Sequence, residues 1–305
     1  MGGQVFKGGT LSIRKERIYF TLEHFRTKLK KLFPDCTDCI GDAVLLGSAG
    51  KKDVSGDIDL AISDEFLERC ENLIDNARKE ELITLYTKRA RTSTLTQITK
   101  RAAIELISEY INSNSDMIET CSKSALNGTL FCRFPQFDIG GITEGDSVQI
   151  DINFGDVDWL KFAYYSDVYE GNVKGLHRTQ LMLSLFTNKG YVFSHNYGVK
   201  NKETNEIVAT SPNQAIDLLN KEYNFKINQN ILSNYFDLDS FLRINLSQED
   251  FHKVYNIYLK ILDSTRCDIP ENLQDYWIKY QDTLGLEGKF LPFDSKLIRY
   301  KKYKF

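Results

Sequence analysis

The sequence predicts an α+β fold in which a small mixed β-sheet with helices on one face is followed by a helix-rich C-terminal region. Three observations carry that expectation. Two segments, DIDLAIS (57–63) and VQIDINF (148–154), alternate apolar and polar residues with the period of a half-buried strand. Helical spacing of apolar residues marks the stretches around them, beginning with KERIYFTLEHFRTKLKKLF (15–33). Beyond about residue 172 helical patterns dominate.

Taken in order, residues 15–33 place Ile18, Leu22, Phe25, Leu29 and Leu32 on one helical face, and Pro34 ends that helix. Val44-Leu45-Leu46 reads as a short buried strand, followed by a Gly/Ser/Lys loop and then DIDLAIS. In that strand Ile58, Leu60 and Ile62 share one face, while Asp57, Asp59 and Ala61 share the other. Helices are expected from Asp64 to about Ala77 and from Gln97 to Ile111, with the basic, Thr-rich YTKRARTSTLT (86–96) as an exposed connection. TLFCRF (129–134) is a strand candidate, and DIGGITEGDS (138–147) reads as a Gly-rich turn before VQIDINF. There Val148, Ile150, Ile152 and Phe154 oppose Gln149, Asp151 and Asn153. Residues 172–187 form a helix stopped by Asn188-Lys-Gly190, and YVFSHNYGVKNKETNEIVA (191–209) resembles a hairpin. Ser211-Pro212 opens the next helix, and Ser247 to Asp250 caps a later one carrying Val254, Ile257, Tyr258 and Ile261.

Composition excludes several classes. With 42% hydrophobic and 27% charged residues over 305 positions, the chain is an ordinary globular one. No apolar run approaches the roughly 18 residues of a membrane span, and MGGQVFKGG lacks an apolar leader core, so a cytoplasmic location is expected. A net charge of −3 argues against coating nucleic acid by bulk charge, which leaves any such contact to local patches. Of the six cysteines only Cys36 and Cys39 have ligand-like spacing, with no second pair, so ordinary reduced thiols are expected.

The segment GSAGKKDVSGDIDL (47–60) carries the chemistry. A bare Asp-x-Asp on a surface strand is common, but here a Gly-Ser loop with two lysines precedes it. Hard oxygens of Asp57 and Asp59 suit Mg²⁺, and backbone N–H groups around Gly47, the Ser48 hydroxyl, Lys51 and Lys52 suit phosphate oxygens. A third carboxylate, Asp151, on a neighbouring strand would complete a site for two ions of the kind used in phosphoryl transfer.

These residues resemble the active-site signature of the DNA polymerase β-like nucleotidyltransferase superfamily, and most of all the palm of family X polymerases. The correspondence runs through Gly47-Ser48, Gly56-Asp57-Ile58-Asp59 and Ile150-Asp151-Ile152. More loosely, FAYYSDVYEGNVKGLHR (162–178) is similar to the segment that follows the third Asp, and QLMLSLFTNKGYVFS to the helix beyond it. The whole sequence also resembles nucleotidyltransferases encoded by large tailed phages, for which the location would be the host cytoplasm. It departs from the family in having Ala49-Gly50-Lys51-Lys52 where Phe-Arg-Arg-Gly stands, in lacking a Gly-Ser after the aromatic pair, and in a long insertion between Asp59 and Asp151.

The resemblance implies a palm over residues 41–170, an N-terminal helix packing on it over 1–40, and a thumb-like helical region over 171–305. It implies transfer of a nucleoside monophosphate from an NTP or dNTP to an acceptor hydroxyl, foremost a nucleic-acid 3′ end, with two Mg²⁺ ions, for which Mn²⁺ substitutes. Asp57 and Asp59 would bridge both ions and Asp151 would hold the one serving the acceptor. Tyr164 and Tyr165 would lie near the sugar, and Asn172, Lys174 and Arg178 would contact nucleotide or template. Transfer to a protein, small molecule or nucleotide, and a non-catalytic nucleotide-binding module, are the alternatives. His177, next to Arg178, could touch phosphate or the acceptor, but a lone His near a helix is expected to be structural or exposed. Two basic groups, Lys88, Arg89, Arg91, Lys100 and Arg101, and the tail KLIRYKKYKF (296–305), are further candidates for nucleic-acid contact.

Overall fold

The computed structural model describes residues 5–6, 9–70, 76–89, 94–165, 175–264 and 273–276. The architecture is α+β, and the chain divides into two compact units: Met1–Tyr165 with His195–Tyr197, and Ser166–Ser194 with Gly198–Phe305.

In the first unit the chain runs β1 (Ile13–Arg14), α1 (Lys15–Leu32), α2 (Thr37–Gly41), β2 (Val44–Leu45), β3 (Val54–Ser55), β4 (Ile58–Ile62) and α3 (Glu65–Arg69). It continues with α4 (Asn76–Arg89), α5 (Leu95–Asn114), β5 (Glu119–Cys121), β6 (Thr129–Asp138), β7 (Gly141–Phe154) and α6 (Val157–Ala163). Five strands make a mixed sheet in the order β2-β4-β7-β6-β5, in which only β4 and β7 run parallel; β1 and β3 pair separately.

The sheet face bearing Ile58, Leu60, Ile62, Ile150, Ile152 and Phe154 is buried in one continuous core. The predicted face of α1 and the helix α5 supply its cover: Ile18, Leu22, Phe25 and Leu29 from α1, and Ile98, Ala102, Ile107 and Ile111 from α5. Thr94 caps α5, its hydroxyl accepting from the Gln97 N–H while the Gln97 side chain accepts from the Thr94 N–H. One helix departs from the expected one-sided cover. α6 sets Leu160 against Ala61 and Leu46, on the side of the sheet that carries Asp59.

Two local expectations need correction. Residues 86–89 are the last turn of a helix rather than part of a connection, although Thr87, Lys88 and residues 94–96 are exposed as expected; 90–93 lie outside the described residues. α4 continues through Arg89 with Tyr86 4% exposed, and α5 begins at Leu95. Polar composition concealed a helix that buries only one apolar stripe, with Leu82 and Tyr86 in the core. The Gly-rich stretch 138–147 is mostly strand: only Ile139 and Gly140 lie between β6 and β7, and the Gly140 N–H donates to Asp138 Oδ1 at 2.8 Å. Pairing with β6 overrides the local turn signal. At the other end of the sheet, Val44-Leu45-Leu46 yields a two-residue edge strand with Leu45 exposed and Leu46 buried.

The second unit contains α7 (Gly175–Asn188), β8 (Tyr191–Ser194), β9 (Gly198–Asn201), β10 (Ile207–Ala209), α8 (Pro212–Tyr223), α9 (Gln229–Ser233), α10 (Tyr235–Asn245) and α11 (Gln248–Ser264). The expected hairpin is the β8-β9 pair, widened by β10 into a three-stranded antiparallel sheet. Leu181, Met182, Leu185 and Phe186 of α7 are buried as expected. Ser211 caps α8 and the Ser247 hydroxyl accepts from the Asp250 N–H at 3.1 Å. Among the described residues no helix is long and apolar enough to cross a membrane.

Candidate active site

The parallel pair β4 and β7 decides the geometry. Burial of their apolar residues leaves one register, in which Ile58 faces Ile150, Leu60 faces Ile152 and Ile62 faces Phe154. A slip of one residue would bury the acids, so the apolar set determines where they go. In this register Asp59 lies directly beside Asp151 on the opposite face, and neighbouring strands are about 4.8 Å apart. Asp57 precedes β4 by one residue and acts on both other carboxylates through its charge.

The electrostatics of this cluster are costly. Burial, then the Asp57 carboxylate, pushes Asp59 up to about 7, although its residue keeps some exposed area. Asp151 is 9% exposed, and burial, then the Asp59 charge, pushes it up to about 8 against an opposing hydrogen bond from Gln149. Burial also raises Asp57, with Lys52 working in the opposite direction. No group of three or more His, Cys, Asp or Glu side chains among the described residues is set to hold a metal ion as it stands. The donor chemistry nevertheless fits a hard divalent cation: three oxygen-bearing acids repel one another on one face, and a cation is what relieves that repulsion.

Gly47 and the loop after it abut the same acids. The Leu46 N–H donates to the Asp59 carbonyl at 2.9 Å, which ties the start of the loop to β4. Gly47 has φ +60°, and a Cβ added there would lie 3.2 Å from Asp59 Oδ2. Glycine permits both the left-handed backbone and the close approach. Ser48 closes the turn through its carbonyl, which accepts the Lys51 N–H at 3.1 Å, and Ala49 anchors the loop in the core. Lys51 Nζ stands 5.2 Å from the Tyr165 ring centroid.

Tyr164 follows α6, which Asp156 caps by accepting the Trp159 N–H at 2.7 Å. The Tyr164 hydroxyl donates to Asn153 Oδ1 at 3.4 Å, and its ring lies 4.7 Å from that of His195. Burial, then the charges of Asp59 and Asp151, raises its phenol. Gly47, Ser48, Lys51, Lys52, Asp57, Asp59, Asp151, Tyr164 and Tyr165 therefore belong to one unit, with the contacts above connecting most of them.

Other candidates stand elsewhere. Arg178 is 2% exposed in the second unit and donates through Nε to the Leu232 carbonyl, a packing position at odds with the expected nucleotide contact. His177 beside it is fully buried, with Nδ1 2.9 Å from the Tyr258 hydroxyl. Asn172, Lys174, Arg91 and the tail 296–305 lie outside the described residues. Lys100 turns inward rather than outward: Nζ is 2.7 Å from Asp64 Oδ1 and donates to the Phe154 carbonyl at 2.7 Å. The Arg101 guanidinium lies 3.7 Å from the Tyr86 ring centroid. Cys36 and Cys70 are buried with their sulfurs 3.5 Å apart, and burial raises both thiols, as suits inert packing groups.

Gln149, Asn153, Thr129 and His195 are the residues that sequence reasoning did not assign. Gln149 donates to Asp151 Oδ1 at 2.8 Å, and Thr129 donates to Asn153 Oδ1 at 2.8 Å. The alternation of VQIDINF had placed Gln149 and Asn153 on the acidic face without indicating a role; nothing local marked Thr129 or His195. No protein-family model matches the chain, and no curated protein matches it.

Proposed function

We propose that the chain is a divalent-metal-dependent nucleotidyltransferase that moves a nucleoside monophosphate from an NTP or dNTP to an acceptor hydroxyl, with the 3′ end of a nucleic acid as the acceptor. One observation carries the reading: Asp59 and Asp151 stand side by side on parallel strands, with Asp57 one step before β4 and Gly47 pressed against Asp59. The family resemblance of the same residues supports it. Mg²⁺ held by Asp57, Asp59 and Asp151 would neutralise triphosphate charge and favour ionisation of the acceptor hydroxyl.

The chain's own part is positioning. The buried apolar face of β4 and β7 holds the acids rigidly, so little reorganisation is needed when substrate arrives. The Gly47 backbone brings the loop against Asp59, and Lys51 and Lys52 add positive charge for phosphate oxygens. Tyr164, held by Asn153 and His195, walls one side of the acids. The acceptor oxygen bonds to the α-phosphorus as the bond to pyrophosphate breaks, and no covalent enzyme intermediate is required.

A second reading has its own support. The net charge is −3, and Lys100 and Arg101 are engaged by Asp64 and Tyr86, which favours a protein or small-molecule acceptor over nucleic acid. Incubation with each labelled NTP and dNTP, Mg²⁺ or Mn²⁺, and primer-template DNA, single-stranded DNA or tRNA separates the two. Extension abolished by Asp151→Ala supports the first, and label on protein or a small acceptor supports the second. No metal-dependent turnover with any acceptor would leave a nucleotide-binding module.

A further inference from the structure

We propose that Gln149 is a positioning residue for Asp151 and that the N–H of Val5 orients its amide for that task; the proposal rests on Asp57, Asp59 and Asp151 being the ion-binding set. Gln149 lies two residues before Asp151 on β7, hence on the same face, and is 3% exposed. Its Nε2 donates to Asp151 Oδ1 at 2.8 Å, while its Oε1 accepts the Val5 N–H at 3.4 Å. An amide has donors at one end and only acceptors at the other, so its orientation decides whether it supports a carboxylate or repels it. Only the oxygen can meet the Val5 N–H, and this turns the NH₂ group toward Asp151.

The character of the support matters as much as its geometry. A Lys or Arg in this position would hold Asp151 and also cancel the charge that a divalent ion needs. A neutral amide holds it and leaves the charge in place. The cross-strand neighbour of Gln149 is a cation, Arg133 of β6, but its guanidinium is 3.4 Å from Glu119 on β5. The sheet thus gives Asp151 an uncharged partner and turns the adjacent positive charge to an acid on the edge strand. With Oδ1 engaged by Gln149, Oδ2 is the oxygen that Asp151 presents to an ion.

The test is Mn²⁺ binding to the full chain without nucleotide, read from the loss of the free-ion EPR signal, for wild type, Asp151→Ala, Gln149→Met and Val5→Pro. Gln149→Met keeps length and volume but removes the donor, and should weaken Mn²⁺ binding about 10- to 100-fold, the range for lost support of a metal ligand. Val5→Pro deletes the orienting N–H outside the acidic cluster and should weaken binding in the same direction, by less. It serves as the deciding variant should Gln149→Met fold poorly. A purely packing role for Gln149 would leave affinity within about twofold of wild type in both folded variants, and that result overturns the proposal. Wild type that binds no Mn²⁺, or Asp151→Ala that binds as wild type does, overturns the reading of the site and the proposal with it.

Discussion

At Gly47 two demands meet in one residue: φ is +60°, and the space where a Cβ would stand is bounded by Asp59 Oδ2 at 3.2 Å. An alanine here strains the backbone by about 1–2 kcal/mol and pushes either the loop or the carboxylate by a few tenths of an ångström. Gly47→Ala should therefore lower kcat for the proposed nucleotidyl transfer about tenfold or more, since small misplacements at reacting centres are expensive. Its thermal unfolding midpoint should fall by only a few degrees. A variant with wild-type kcat would mean that the approach to Asp59 has no bearing on turnover. That Asp59 and Asp151 each lie opposite the apolar face of their strand could be read from sequence, because alternation assigns each residue to a face; that β4 and β7 pair in the register that sets the two acids side by side could not be read from alternation. Nor could the partners of those acids. Gln149 and Asn153 look like any polar residues on an exposed face, and their hydrogen bonds to Asp151, Thr129 and Tyr164 depend on how three separate segments meet.

Between elements, Lys100 joins the second turn of α5 to the end of the first unit's sheet. From α5 it reaches the Phe154 carbonyl at the end of β7 and Asp64 just after β4. Burial holds its ammonium below the usual 10.5, with Asp64 opposing the shift. The unfolded chain then binds the proton more tightly than the folded one between the lowered value and 10.5, so this group's contribution to stability rises with pH through that window. Urea unfolding at pH 8 and pH 10 should show wild type gaining relative to Lys100→Met as pH rises. An unchanged difference would mean that Lys100 titrates alike in both states. A second element test lies in the other unit, where a Cβ on Gly198 would come 2.1 Å from the Ala209 carbonyl oxygen, with φ at +90°. Gly198→Ala must separate β9 from β10, and should cost about 3 kcal/mol or more by chemical denaturation. The helices with clean apolar faces, α1 and α7, were readable in advance. The continuation of α4 through Arg89 and the long β7 were not, because Lys, Arg, Thr and Gly report local preference while burial of Tyr86 and pairing with β6 decide the outcome.

Over the whole molecule, the acidic cluster sets function against stability within the first unit. Burial, and then mutual repulsion among the acids, pushes Asp59 up to about 7 and Asp151 up to about 8 from the ordinary 3.8, so the folded chain holds these protons more tightly than the unfolded one. Their contribution is therefore present at low pH and lost as pH rises from about 4 through about 8. In chelator at pH 8, Asp59→Asn should be more stable than wild type by about 1–3 kcal/mol, since it removes a charge from a buried, repelling set. Mn²⁺ reverses the order. An ion that binds only the folded state at 1,000 times its Kd stabilises wild type by about 4.1 kcal/mol, more than the variant's lead, and Asp59→Asn should gain little of this. Trp159, 2% exposed in α6, reports on the unit that holds the acids, and replacing Trp277 with Phe removes the chain's other tryptophan. Fluorescence-monitored unfolding in that background should show the variant ahead without ion and behind with it. Misfolding would lower the variant under both conditions, and an ion bound elsewhere would raise both proteins equally. Only a cation held by these aspartates inverts the ranking.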